Sequence, residues 1–190
     1  MFGINFDPWI DASPLPVPRA DTHSDETPCS PITPRWFGPP VEGEACSFTG
    51  LERATFQTKL LGAFGGSVVK VSLIQKGAHR GKHLVFAPSV HEMFTWLSAH
   101  PGKIPEFKPD FRGARLANIP RRWIRAPKNQ ETCSFTSLGH YSFYSLLEEA
   151  GSAIQTAQLR LPDESRASRL VWLPSIHDYL VRKAEKQYAE

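Results

Sequence analysis

The sequence predicts an α+β protein that contains one small module twice, each copy a helix, a β-hairpin and a second helix. The main evidence is an internal repeat between residues 32–97 and 119–180. The matched motifs are Cys-Ser-Phe-Thr at residues 46–49 and 133–136, and Pro-Ser-aliphatic-His at residues 88–91 and 174–177. A unit of roughly 60–65 residues is near the lower limit for a stable core, so we expect two small modules.

The first helix of the first module is expected to begin at Thr49. Glu52 stands three residues later, which is the capping-box spacing that satisfies free backbone amides at a helix start. Phe56 and Leu60 lie one helical turn apart and would form the buried side of this helix. Gly65 marks its expected end, because glycine is common just after the last helical turn.

A β-hairpin should follow this helix. Val69, Val71 and Leu73 alternate with polar residues, which is the pattern of a half-buried strand. A basic turn over residues 76–82 then leads into a second apolar stretch, which predicts the return strand. The last helix of the module is expected to open at Ser89, directly after a proline.

The second module follows the same plan. Its first helix is expected over residues 138–150, its strands near residues 157–161 and 169–173, and its last helix is expected to be capped by Ser175. Each module is also expected to start with a short extended segment around its tryptophan, since prolines follow closely and exclude a helix.

Composition divides the chain into four parts. Residues 1–31 are rich in Pro, Asp, Ser and Thr with few spaced apolar residues, which predicts a disordered acidic tail. Residues 32–98 form the first module, residues 99–118 a basic, proline-rich linker, and residues 119–190 the second module.

Positive charge is concentrated in the centre of the sequence, although the net charge is only +3. Residues 46–98 carry six Lys/Arg and two Asp/Glu, and residues 99–130 carry eight and two. The flanks are acidic, with net charges of −5 for residues 1–45 and −2 for residues 131–190. A basic stretch is what polyanion binding requires; the alternative is that these residues only keep a linker soluble.

The sequence contains no apolar run of the ~20 residues that span a bilayer and no secretory signal pattern. Three cysteines are too few for a disulfide scaffold. We therefore expect a cytoplasmic protein that does not interact with membranes.

Motifs for catalysis are absent from the sequence, including phosphate loops, His-x-x-x-His, Gly-x-Ser-x-Gly and paired carboxylates. We expect a non-enzymatic protein without a cofactor. The matched His91 and His177 are interpreted as structural. Cys46 and Cys133 supply one ligand per module where zinc needs four, so we expect buried cysteines and no metal.

The tryptophans are expected to be buried as well. Trp36 and Trp123, with Phe48 and Phe135, occupy matched positions in the two modules. We interpret them as the core of each module rather than as a platform on which bases stack.

The remaining candidate surface is a helix beside a basic hairpin, the arrangement of a winged helix. Arg, Gln, Thr and Lys are side chains that read base edges or hold phosphates. The candidate DNA-binding residues are Arg53, Thr55, Gln57, Thr58 and Lys59 on the helix, Lys76, Arg80 and Lys82 on the wing, and Arg121, Arg122 and Arg125 before the second module.

Residues 49–56, Thr-Gly-Leu-Glu-Arg-Ala-Thr-Phe, followed by Leu60, resemble the start of the recognition helix in excisionase/AlpA-type helix-turn-helix proteins of the MerR-like group. This resemblance implies a tandem winged helix-turn-helix protein that binds double-stranded DNA, as a transcription regulator or a recombination directionality factor. Three features depart from the family. Residues 38–43 are too rich in Pro and Gly for its preceding helix, and Glu52 replaces a usual serine. The second module also changes the helix surface and places Asp163 and Glu164 at its hairpin tip.

A second function remains open, that of a protein-interaction adaptor. The second module keeps the apolar residues of the first but replaces its charged helix surface with His140, Tyr141 and Ser142. This exchange favours docking of a protein partner or self-association through the second module.

Overall fold

The computed structural model describes residues 32–73, 81–159 and 168–190. The elements in chain order are β1 (Trp36–Phe37), α1 (Arg53–Thr55) continued by a π-helix (Phe56–Ala63), β2 (Lys70–Leu73), β3 (Lys82–Phe86), α2 (Ala87–Ala99), α3 (Phe111–Arg115), β4 (Trp123–Arg125), α4 (His140–Ala150) with a 3₁₀ turn (Gly151–Ala153), β5 (Thr156–Leu159), β6 (Ser168–Trp172) and α5 (Leu173–Ala189). This confirms the predicted α+β class. Residues 1–31, for which disorder was expected, lie outside the residues that the structure describes.

Each repeat forms a three-stranded antiparallel sheet. The strand order is β1-β3-β2 in the first sheet, called sheet A, and β4-β6-β5 in the second, called sheet B. Trp36 lies opposite Phe86 in sheet A, and Trp123 lies opposite Trp172 in sheet B. The extended segment expected at the start of each module thus adds a third strand to the predicted hairpin.

The first helix begins later than the sequence predicted. It starts at Arg53, and its N-cap residue is Glu52 with an extended backbone and no capping side-chain hydrogen bond. Thr49 is instead part of a tight loop, in which its hydroxyl accepts a hydrogen bond from the Leu51 amide at 3.3 Å. The capping-box prediction was wrong because Gly50 has a φ of +68°, which turns the chain before the helix can form.

The last helices begin two residues earlier than predicted, at Ala87 and Leu173, with prolines in their first turns. Ser89 therefore does not cap α2. Its hydroxyl accepts a hydrogen bond from the Val69 amide at 3.0 Å and donates one to the Phe86 carbonyl at 2.8 Å. It joins the helix to the start of β2.

Part of the predicted linker is helical. Asp110 caps α3 by accepting a hydrogen bond from the Gly113 amide at 2.8 Å. The short helix packs against α5, where Arg115 forms an ion pair with Glu185. The segment before the second repeat is thus fixed to the body of the protein through its last residues.

The two repeats are packed together, and residues Ile32–Glu190 belong to one compact unit. The inner face of sheet A, with Phe37 and Val85, packs on the helices of its own repeat. The outer face of sheet A is buried in a core that it shares with α5 of the second repeat. The residues of this outer face are Trp36, Val71, Leu73, Leu84 and Phe86.

Candidate nucleic-acid interface

Most of the predicted DNA-binding residues that the structure describes are exposed to solvent. The exposed ones are Arg53, Gln57, Thr58, Lys59, Lys82, Arg121, Arg122 and Arg125, and Thr55 is half-buried. Lys76 and Arg80 lie outside the described residues. The Thr58 hydroxyl donates to the Ala54 carbonyl of its own helix at 2.9 Å, so its proton is already used.

The start of the first helix lines a groove of about 610 Å³. Arg53 and Gln57 form one wall, and Glu42, Glu44 and Glu52 also line the groove. Three carboxylates around one guanidinium give this groove a negative balance, which opposes the approach of phosphate. Arg53 and Gln57 are accessible, but their immediate surroundings do not favour DNA.

The second repeat has a groove at the corresponding position, with a volume of about 680 Å³. We call it the basic groove. Its lining residues are Arg125, Ala126, Pro127, Lys128, Asn129, His140, Tyr141, Tyr144, Ser168 and Arg169. The repeat alignment places Asn129 where the first module has Glu42, His140 where it has Arg53, and Tyr144 where it has Gln57. The first groove is lined by three glutamates and one arginine and the second by two arginines and one lysine, so the two grooves carry opposite charge.

Aromatic and cationic side chains are held together in the basic groove. The His140 Nδ1 atom lies 2.8 Å from the Pro127 carbonyl oxygen; since a carbonyl only accepts, Nδ1 carries a proton. The His140 and Tyr144 rings are 4.6 Å apart, and the Arg169 guanidinium carbon lies 5.2 Å from the centre of the Tyr144 ring. Tyr141 is 75% exposed at the edge of the groove.

One carboxylate orients the basic residues at one end of the groove. Glu131 accepts two hydrogen bonds from the Arg125 guanidinium, at 3.0 and 2.9 Å, and one from the Lys128 amide at 2.9 Å. The Lys128 amide and the Arg125 charge hold the pKa of the Glu131 carboxyl below its usual value. Arg125 is partly neutralised by this pair, which leaves Lys128 and Arg169 as the principal free charges of the groove.

The three predicted arginines before the second module do not act as one cluster. Arg125 lines the basic groove, whereas Arg122 lines a separate cleft of about 400 Å³. In this cleft Arg122 lies near Arg35 and Phe48, and the Arg35 guanidinium carbon is 5.8 Å from the centre of the Phe48 ring.

The matched histidines have different environments. His177 is buried, and its Nδ1 atom accepts a hydrogen bond from Trp36 Nε1 at 3.1 Å. Its Nε2 atom lies 2.7 Å from the Ala114 carbonyl oxygen. Because Nδ1 accepts from the indole and Nε2 faces a carbonyl, the ring carries its proton on Nε2 and has a structural role; burial lowers the pKa of His177. His91, at the matched position, is exposed.

Cys46 and Cys133 are buried and unpaired, as expected. The expectation for the tryptophans was wrong in one module, because Trp36 is fully buried but Trp123 is 41% exposed. The difference arises because α5 covers Trp36 and nothing among the described residues covers Trp123 in the same way.

Among residues 32–73, 81–159 and 168–190, no group of three His, Cys, Asp or Glu side chains is placed to hold a metal ion. In the same part of the chain, every helix is too short or too polar to cross a membrane. Compared with protein-family models, with curated proteins and with solved structures, the chain matches none.

The DNA-binding residues predicted from the sequence did not include those that make the groove of the second repeat basic and aromatic, namely Lys128, His140, Tyr144 and Arg169. A signal was present in the repeat itself. Aligning the copies shows that Glu42 of the first groove is replaced by Asn129, which removes a negative charge from the second.

Proposed function

We propose that this protein is a non-enzymatic, sequence-specific double-stranded DNA-binding protein, and that the basic groove makes its principal contact. The observation that carries the proposal is the combination of Lys128, Arg169 and Arg125 in one groove with the exposed Tyr141 ring and the half-buried rings of His140 and Tyr144. The charge of the body supports it, since residues 32–190 hold 21 Lys/Arg and 14 Asp/Glu, a net charge of +7.

Lys128 and Arg169 would contact phosphates, because cationic side chains supply most of the affinity for the DNA backbone. His140 and Tyr141 begin α4 and lie at the groove edge, where they can reach a base or a sugar. Arg53, Gln57 and Lys59 of the first repeat would add a weaker second contact, so that one chain covers a bipartite site.

The resemblance of residues 49–56 to excisionase/AlpA-type proteins supports a specific biological role for the proposed DNA binding. A DNA-binding protein of this kind acts as a transcription regulator or a recombination directionality factor. The described chain has no helix between residues 38 and 52, where the helix-turn-helix of that family has its first helix, so we place the main contact in the groove rather than in a recognition helix.

The test is a fluorescence-anisotropy titration of a random DNA duplex and a matched RNA duplex at two salt concentrations. We expect DNA binding that weakens steeply with salt. The Lys128→Ala/Arg169→Ala variant should reduce the salt slope by about 1.8, since each lost phosphate contact contributes about 0.9.

The matched control is Arg53→Ala/Lys59→Ala, which removes the same charge from the first repeat. We expect a smaller loss of affinity for this variant. Equal losses for the two variants would contradict the assignment to the basic groove, and an absence of binding to either nucleic acid at micromolar protein would contradict the function.

A second candidate function is that of a protein-interaction adaptor. It is favoured by a separate observation, which is that the outer face of sheet B exposes Trp123 and Leu159. An exposed apolar face on a folded domain is typical of a protein-interaction site.

A further inference from the structure

The outer face of sheet A shows how this type of sheet binds a helix. α5 lies across it, with the His177 ring 5.0 Å from the Phe86 ring and hydrogen-bonded to Trp36. At the free edge of the sheet, the Gln187 side-chain amide accepts from the Ser72 amide at 2.8 Å and donates to the Ser72 carbonyl at 2.9 Å. The helix therefore covers both the face and the open strand edge.

The corresponding outer face of sheet B also carries Arg125, opposite Leu170, and no helix among the described residues lies across it. The Trp123 and Trp172 rings lie 5.5 Å apart and tilted by 50°, and the Trp36 and Phe86 rings of sheet A lie 5.4 Å apart and tilted by 41°. Trp123 is 41% exposed and Leu159 is 58% exposed. The remaining apolar residues of this face, Ala157 and Leu170, are half-buried. Within residues 32–73, 81–159 and 168–190, no helix takes the place that α5 has on sheet A.

The repeat identifies the helix that corresponds to α5, which is α2 of the first repeat. The repeat alignment pairs α2 with α5 as His91 with His177, Phe94 with Leu180, Thr95 with Val181 and Ser98 with Ala184. Thr and Val have nearly the same shape, as do Ser and Ala. In α2 these residues face solvent: His91, Thr95 and Ser98 are exposed, and Phe94 is 37% exposed.

The two hydroxyls of α2 do not oppose burial against a sheet. Thr95 donates its hydroxyl proton to the His91 carbonyl at 3.0 Å, and Ser98 donates to the Thr95 carbonyl at 2.7 Å. Because both protons already have partners within the helix, covering these side chains leaves no donor unsatisfied. The exposed side of α2 therefore offers a histidine beside a surface shaped like that of α5.

We propose that the open face of sheet B binds a second copy of this chain, through α2 of that copy. The contact repeats the one between the two repeats within a chain, with Trp123 Nε1 donating to His91 of the neighbouring copy as Trp36 donates to His177. The two surfaces are different, so the association is head-to-tail and can extend beyond a dimer.

This contact should be weaker than the internal one. α2 ends at Ala99 and has no residue that corresponds to Gln187 and its two hydrogen bonds. The internal contact also benefits from being within one chain, whereas association of two copies costs translational and rotational freedom. We therefore expect concentration-dependent self-association rather than a permanent oligomer.

Sedimentation velocity over a range of protein concentrations, without nucleic acid, tests the proposal independently of DNA binding. We expect the mean mass of the wild type to rise with concentration. Trp123→Arg should remove the sheet surface and Thr95→Arg the helix surface, so that each variant alone stays monomeric. Leu116→Arg is the control, because Leu116 is 75% exposed and lies outside both surfaces; it should associate like the wild type.

Mixing the two variants separates this head-to-tail contact from general hydrophobic association. Trp123→Arg keeps an intact α2, and Thr95→Arg keeps an intact sheet B, so an equimolar mixture should form a dimer that cannot extend. Wild-type protein that stays monomeric, variants that still associate, or a mixture that remains monomeric would each overturn the proposal. Circular dichroism of each variant confirms that these surface substitutions leave the fold intact.

Discussion

Replacing His177 by alanine should cost about 4 kcal/mol of folding free energy, because this side chain joins the two repeats. Its ring lies between Trp36 and Phe86 of the first repeat and Phe135 of the second. It is 1% exposed and forms hydrogen bonds through both nitrogens. These contacts separate into two contributions of known size.

The first contribution is a buried donor without a partner. Trp36 is fully buried, so loss of its hydrogen bond to His177 leaves the indole N–H unsatisfied at a cost of about 1–3 kcal/mol. The second is a cavity, because shortening a large buried side chain to alanine costs about 2–5 kcal/mol when neighbours cannot close the space. Together the two ranges add to about 3–8 kcal/mol, so a loss of about 4 kcal/mol lies near the lower end of what these contacts supply.

The same residue predicts a dependence of stability on pH. Burial lowers the pKa of His177 below its ordinary value of 6.5, and a proton on Nδ1 would face the Trp36 N–H. The unfolded chain therefore binds a proton more readily than the folded chain. The contribution of His177 is fully present above pH 6.5 and is lost as the pH falls below it, by at most about 1.4 kcal/mol per pH unit.

Urea denaturation followed by circular dichroism, from pH 8 to pH 5, measures both effects. The matched control is His91→Ala, studied in dilute solution so that self-association does not contribute. This exposed position should change stability by less than about 0.5 kcal/mol. Burial and the nearby Lys70 charge also lower the pKa of His83, but His83 titrates in every variant and cancels in the comparison.

Two results would refute the reasoning. The first is a loss for His177→Ala no larger than that for His91→Ala. The second is a wild-type acid destabilisation below pH 6.5 that persists unchanged in His177→Ala. The first result would mean that the repeats are held together elsewhere, and the second that another group carries the pH dependence.

Two further predictions concern the same contact between repeats. Trp36→Ala should cost about 4 kcal/mol by thermal or urea unfolding of dilute protein. The matched Trp123→Ala should cost only about 2 kcal/mol, because Trp123 is already 41% exposed. Equal losses would contradict the description of the two sheets. Gln187→Ala should cost about 1–2 kcal/mol, because both hydrogen bonds to the Ser72 backbone are lost. Hydrogen exchange at the Ser72 amide should also become faster. An unchanged exchange rate would show that Gln187 does not protect this strand edge.

The positions of strands and helices followed from local patterns in the sequence. The alternation of Val69, Val71 and Leu73 depends only on neighbouring residues, and β2 lies close to where it was expected. Helix starts were less accurate, because capping depends on the backbone as well as on residue type. The spacing of Thr49 and Glu52 suits a capping box, but the loop turns at Gly50 before helical geometry begins.

The difference in burial between Trp36 and Trp123 could not be predicted from their local sequences, which are nearly the same. Each tryptophan lies on the outer face of its sheet, and burial there depends on a helix from elsewhere in the chain. A weaker signal was present at the opposite edge strand of each sheet, where Val71 of the first repeat corresponds to Ala157 of the second. Less apolar bulk on a sheet face is typical of a face without a permanent cover.

Charge summed along the sequence was misleading about the second repeat. Residues 131–190 have a net charge of −2, yet the groove of that repeat is basic. Its positive residues come from β6 and from the segment before α4, while Glu149 is paired with Lys183 of α5. The net charge of a sequence segment sums residues that lie on different surfaces of the folded protein. The charge of one surface therefore depends on the fold.

The two proposals become related when the surfaces of both repeats are considered together. In the part of the chain that the structure describes, the first repeat has a covered sheet and an exposed helix side, and the second has an uncovered sheet face and a basic groove. Head-to-tail association would place one basic groove per chain along an array, and several weak phosphate contacts on one DNA molecule would act together with high effective concentration. By thermodynamic linkage, DNA that binds such an array more tightly than the single chain must also favour its assembly. The duplication would then account for the contact between copies. It produced a second sheet face, that of sheet B, and a helix that matches this face, α2 of the first repeat.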